Sequence, residues 1–217
     1  MHAWNLSVSE AIALQKTLAK TIDTQTPIPL ESIQYVAGVD VSVKNEISRA
    51  AIVVFEYPTL RQVEVAYESI PTPFPYIAGL LTFREGEVIL KAHEKLKLQP
   101  DVYIFDGHGI YHPRRLGIAS HMGLWLQKPT IGCGKTHFIG TYGEVGPKKG
   151  DTTPIFDGEE VIGMLVRTRD RVKPVYVSVG HLATLETAVE LVFRCTTRYR
   201  LPEPTRIADQ LAGKFSP

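Results

Sequence analysis

The sequence predicts an α/β fold in which a mixed sheet is flanked by helices. Two observations predict it. Three consecutive strand-like segments lie between residues 35 and 70, joined by short turns, and are followed by helix, strand, helix, strand and further helices. The 217-residue chain is 44% hydrophobic and 22% charged, enough apolar material for a full core, which excludes a disordered, collagenous or coiled-coil protein. No linker or repeat divides it, so a single domain over 1–217 is expected.

Ser7-Val8-Ser9-Glu10 has capping-box spacing, and Ala11, Ile12, Leu14, Leu18 and Ile22 follow at helical period, predicting a helix over 8–22. At Tyr35 the period becomes two: Tyr35, Ala37, Val39, Val41 and Val43 share one face, and Gly38, Asp40 and Ser42 the other. The apolar run 50–57, a turn at Pro58-Thr59 and residues 62–70 complete an antiparallel meander. Residues 71–79 carry three prolines, too many to pair in a sheet, and predict a loop. A helix over 82–98, a buried strand over 102–105, a helix over 117–126 and a strand over 130–133 come next. The Gly-rich polar stretch 140–158 is left without structure. Residues 161–167 and 175–179 predict a hairpin, 184–199 a helix, and the segment after Pro204 a short helix. The ribonuclease H-like fold has this order, as do other α/β layouts.

No apolar run approaches about 18 residues, and residues 1–6 lack the basic-then-apolar layout of a secretory signal, so a cytoplasmic protein without membrane association is expected. Cys133 and Cys195 are too few for a disulfide framework or a four-ligand zinc site and read as buried thiols. Net charge is only +1, but residues 1–106 hold 9 Lys+Arg against 13 Asp+Glu, and residues 107–217 hold 15 against 10. Such a split suits metal binding in one half and phosphate binding in the other, and solvated faces also produce it.

Asp40 lies inside a strand, where aspartate is disfavoured, and Asp106 ends a buried strand, the edge where α/β sheets place ligands. If these strands are neighbours the carboxylates meet, and their repulsion calls for a cation or basic partners. Oxygen donors without a nearby Cys or His cluster point to Mg²⁺ or Mn²⁺. Glu85 fits either a capping box with Thr82 or a third metal ligand. The segment Asp106-Gly107-His108-Gly109-Ile110-Tyr111-His112-Pro113-Arg114-Arg115 combines glycines for close approach, histidines for proton handling and arginines for phosphate. Lys135 follows the strand over 130–133 and could reach a phosphate or the attacking water, or be an ordinary surface lysine.

Tyr35-Val36-Ala37-Gly38-Val39-Asp40, Phe74-Pro75-Tyr76-Ile77, Phe83-Arg84-Glu85, Asp106-Gly107-His108-Gly109 with His112-Pro113-Arg114-Arg115, Gly117-Ile118-Ala119-Ser120-His121, Thr130-Ile131-Gly132 and Arg200-Leu201-Pro202-Glu203-Pro204-Thr205-Arg206 occur in collinear order. Together they resemble the endonuclease V family over nearly the whole chain. The resemblance implies a ribonuclease H-like fold and a repair nuclease using Mg²⁺, with Mn²⁺ as substitute. It implies cleavage of the second phosphodiester bond 3′ to deoxyinosine or another deaminated base, leaving 3′-hydroxyl and 5′-phosphate ends. Carried over, Asp40, Asp106 and Glu85 match the metal-binding acids, His112, Lys135 and His181 active-site basic residues, and Tyr76 the aromatic wedge.

Backbone N–H groups from Gly79 to Leu81 and around Gly107 are expected at the extruded base, and Arg114 and Arg115 at phosphates. Two departures stand out: Ala78 replaces the second proline of the wedge motif, and Gly132-Cys133-Gly134-Lys135 stands for Gly-Val-Ala-Lys. Inosine RNA or branched nucleic acid is the alternative substrate, a non-catalytic nucleic-acid binding protein the alternative class, and no obligate protein partner is inferred.

Overall fold

A computed structural model describes residues 2–214; Met1 and residues 215–217, the ends of the expected domain, lie outside the described residues. β1 (Tyr35–Lys44), β2 (Ile47–Glu56) and β3 (Arg61–Pro71) form the expected meander. β4 (Val102–Phe105) adds parallel to β1, and β5 (Thr130–Gly134) parallel to β4. β6 (Thr141–Tyr142), β7 (Thr152–Asp157), β8 (Glu160–Val166) and β9 (Val175–His181) complete a nine-stranded sheet of order β3-β2-β1-β4-β5-β9-β8-β7-β6. This mixed sheet with helices on both faces is the ribonuclease H-like arrangement.

The alternation in β1 sends its two faces to different helices. Ala37 and Val39 pack with Val88, Ile89 and Ala92 of α2 (Leu81–His93) and Ala119 and Met122 of α3 (Ile118–Leu126). Val36 faces the other core, with Leu191 and Val192 of α4 (Leu185–Arg194) and Ala208 of α5 (Glu203–Lys214). α1 (Val8–Leu18) begins at the capping box, with Ser7 and Glu10 bonding reciprocally, and a 3-10 turn replaces its expected last turn.

The differences from expectation are local. α2 stops at His93 instead of Leu98 because the Lys97 and Leu98 N–H groups donate to the Glu64 carboxylate, a partner that sequence spacing does not reveal. α4 stops at Arg194 rather than Tyr199, where Thr196 donates to the Val192 carbonyl. β6 and β7 lie in the stretch expected to be irregular; β7 contains Pro154 and buries only Ile155, so its pattern does not read as a strand. The helix expected after Pro204 begins at Glu203 and runs 12 residues, with Pro204 in the first turn, where its missing N–H costs nothing. Both cysteines are buried and free, and no helix of the described residues is long and apolar enough to cross a membrane.

Candidate metal centre and its cavity

Parallel pairing of β1 with β4 runs from Val36↔Val102 to Val39↔Phe105, so the next residues on each strand, Asp40 and Asp106, fall side by side at the edge. A third carboxylate arrives on α5: one oxygen each of Asp40, Asp106 and Asp209 lie within 4.8 Å of one another. Gly38 makes this approach possible, because a Cβ there would collide with the Pro204 carbonyl at the start of α5. Asp209 was not foreseen from sequence. Its signal is the spacing Thr205, Ala208, Asp209, Ala212, which places a carboxylate on the core-facing stripe of an amphipathic helix.

Glu85 lies near this group without joining its three close oxygens, and it does not cap a helix. α2 is capped at Leu80 without a side-chain bond, which leaves Glu85 in the second turn, largely buried and close enough to Asp40 to feel its charge. Trp4 packs where a side chain at Gly86 would be, which braces this turn.

Burial, and then the charges of Asp106 and Asp209, push the Asp40 carboxyl up to about 7. Burial and Asp40 push Glu85 up to about 8. Asp106 is also raised, chiefly by burial, with Lys135 opposing the shift. Lys135 supplies the positive charge: its ammonium pairs with Asp106 and, at 3.1 Å, with Asp209. The raised Asp40 and Glu85 carboxyls show that Lys135 does not offset the crowding of acidic groups here. A divalent cation would correct this, and hard oxygen donors of this kind suit Mg²⁺ or Mn²⁺.

Next to the cluster is a cavity of about 380 Å³, large enough for a small ligand. Asp106 and Lys135 line it together with Tyr76, Gly79, Leu81, Gly107 and His112, so the structure gathers most of the expected residues. Tyr76 is 74% exposed on the loop after β3, not packed in the core. Gly134, one of the two motif departures, leaves room for the His108 ring, which a Cβ there would overlap.

Four expected residues sit differently. The bonding pattern assigns His112 a protonated Nε2, which donates to the Gly79 carbonyl (3.0 Å), while Nδ1 accepts from the Arg114 N–H (3.1 Å). Burial and then Arg114 lower its pKa to about 4, so it is neutral at physiological pH. Arg114 also turns inward, donating to the Gly79 carbonyl (2.8 Å) and Gln15 Oε1 (2.6 Å). Arg115 is held by Asp157 and Glu160 at 2.7 Å each. His181 is not brought to the cluster. It pairs with Thr130 at the start of β5, whereas Lys135 follows the other end of that strand, and its Nδ1 accepts from the Asp23 N–H.

The sequence profile of the endonuclease V family matches residues 16–210, which contain the whole acidic cluster. The chain belongs to the endonuclease V family. Endonuclease V of Trichormus variabilis is 49% identical over 98% of this chain and 96% of its own length, and that of Gloeobacter violaceus is 50% identical over 96% and 86%. The crystal structure of Streptomyces avermitilis endonuclease V superimposes with a TM-score of 0.93 at 38% identity, covering 98% of this chain and 94% of that one. Ciona intestinalis endonuclease V, crystallised with a 24mer DNA containing an inosine followed by a ribo-adenosine, gives a TM-score of 0.82 at 30% identity, covering 95% and 96%.

Proposed function

We propose that this endonuclease V acts on DNA containing deoxyinosine or other deaminated bases. Cleavage falls at the second phosphodiester bond 3′ to the lesion, leaving 3′-hydroxyl and 5′-phosphate ends, with the whole chain serving as one catalytic domain. The observation that carries this reading is the acidic cluster of Asp40, Asp106 and Asp209 beside a base-sized cavity with an exposed aromatic ring at Tyr76. The Ciona relative bound to inosine-containing DNA supports it.

Asp40, Asp106 and Asp209, with Glu85 beside them, would hold Mg²⁺, which when bound neutralises charge developing on the phosphate and lowers the pKa of a water. Lys135 orients Asp106 and Asp209 through its two ion pairs and opposes the rise in the Asp106 pKa. Tyr76 would stack into the gap left by the extruded nucleotide. Hypoxanthine presents a ring N–H donor and a carbonyl acceptor where adenine presents the reverse, and a mispaired polar group in a closed pocket costs about 1–3 kcal/mol. Gly79, Leu81 and Gly107 line the cavity, and their backbone N–H groups would make that distinction.

The test is a gel assay on a duplex with a single deoxyinosine, with and without Mg²⁺. Absence of a metal-dependent cut two bonds 3′ to the lesion would refute the reading. The ribo-adenosine in the Ciona complex favours a second substrate, inosine in RNA, and the same assay on an inosine RNA oligonucleotide separates the two.

A further inference from the structure

Six exposed cations lie apart from the cavity, on three loops: Lys148 and Lys149, then Arg169, Arg171 and Lys173, then Arg198. The loops are fastened together. The Arg167 guanidinium donates to the carbonyls of Gly146 (2.8 Å), Val145 (3.1 Å) and Val172, and the Arg171 N–H donates to the Pro147 carbonyl (2.8 Å). Thr168 donates to the Arg200 carbonyl (2.6 Å), and the Lys149 ammonium lies 5.2 Å over the Phe193 ring.

Among the described residues, none of these six cations forms an ion pair, whereas Arg61, Arg115, Arg194 and Arg206 all do. Two nearby carboxylates are used by backbone: Asp151 accepts from the Lys148 N–H and Asp170 from the Lys149 N–H. A rigid surface carrying this much unpaired positive charge repels itself unless an anion covers it.

One side chain ties this surface to the metal centre. Arg200 Nη2 donates to the carbonyl of Lys135 (2.8 Å), whose ammonium pairs with Asp106, and to that of Pro174 (2.9 Å), which follows Lys173. We propose that the ridge formed by Lys148, Lys149, Arg169, Arg171, Lys173 and Arg198 binds the phosphate backbone of the nucleic acid flanking the cleavage site, without reading its sequence. The site of contact rests on the proposed function. Attraction of a polyanion to this ridge is tested independently of it.

The probes are a duplex long enough to run beyond the active site and the same duplex carrying one deoxyinosine, each titrated over a range of KCl concentrations. Each cation–phosphate contact contributes about 0.9 to the slope of log affinity against log salt. For Lys148→Gln/Lys149→Gln/Arg169→Gln/Arg171→Gln the slope should fall by about 2 to 4 on both duplexes. The ratio of lesion to unmodified affinity should stay within about twofold of wild type, because backbone contacts carry no base information. Lys173→Gln/Arg198→Gln, at the two remaining positions of the ridge, should reduce the slope by about 1 to 2, which guards against a folding defect in the first variant.

Slopes unchanged in both variants would overturn the proposal and leave the ridge to an acidic protein partner. Loss confined to the lesion duplex would overturn it as well, since the cations would then act at the base. A wild-type protein that shows no preference for deoxyinosine would sink the proposed function while the slope comparison still decides the ridge.

Discussion

One carbonyl of the wedge loop gathers three side-chain donors, and Gln15 tests that arrangement. Gly79, at φ 81°, presents its oxygen to three donors: Gln15 Nε2 (2.9 Å), His112 Nε2 (3.0 Å) and the Arg114 guanidinium (2.8 Å). Gln15, only 1% exposed on α1, also donates to the Leu116 carbonyl (3.1 Å) and accepts from Arg114 Nε (2.6 Å). Gln15→Met keeps the volume and removes all three bonds. Gly79 retains two donors, but the Leu116 carbonyl and a charged N–H lose their partner. At about 1–3 kcal/mol for each of the two stranded groups the loss is about 2–6 kcal/mol. For a chain of this size, at about 2–4 °C per kcal/mol, that lowers Tm by about 4–24 °C. Deoxyinosine-duplex affinity should fall with it, as Tyr76 sits three residues from the anchored carbonyl. A thermal melt and a binding titration read both, and a cycle with Arg114→Met should show coupling above about 0.5 kcal/mol. A Gln15→Met protein within about 1 kcal/mol of wild type and with full lesion affinity would refute the anchor, leaving the Arg84 bond to the Phe74 carbonyl as the support of the loop.

Asp40 and Glu85 make stability without metal depend on pH. Between the ordinary value of 3.8 and about 7, folded Asp40 keeps a proton that the unfolded chain has released, and Glu85 does so between 4.5 and about 8. In chelator, stability should therefore fall as pH rises through that window, by up to about 1.4 kcal/mol per pH unit for each group. Mg²⁺ should flatten the curve, while a Tm that rises from pH 5 to 8 in chelator would contradict the assignment. Asp40→Asn and Asp106→Asn should each abolish cleavage; Asp40→Asn should leave chelator stability level or higher, a loss of about 3–5 kcal/mol identifying a structural ion pair at Asp40 instead, whereas Asp106→Asn also removes the ion pair with Lys135. Tyr76→Ala should weaken lesion binding by roughly 5-fold to 150-fold with no change in Tm, and Tyr76→Phe much less, as competition titrations would show. Gly38→Ala should move α5 away from β1 and lower Mg²⁺ affinity measured by calorimetry; unchanged affinity would mean that Asp209 is not a ligand.

The sequence by itself determined the meander, the parallel β4 and β5 and the two strand-borne carboxylates, because a period of two and an aspartate inside an apolar strand are local signals. The motifs at Asp40, Tyr76, Glu85 and Asp106 identified the family for the same reason. Only the tertiary structure decided which polar groups meet. Asp209 is more than 100 residues from Asp106 and joins it because Gly38 lets α5 rest on β1. His112 and Arg114 carry the side chains expected of catalysis and phosphate binding, yet both close on the Gly79 carbonyl, since a buried donor takes the nearest acceptor. His181 lies at the far end of β9 because antiparallel pairing with β5 reverses its direction, which residue type alone cannot reveal.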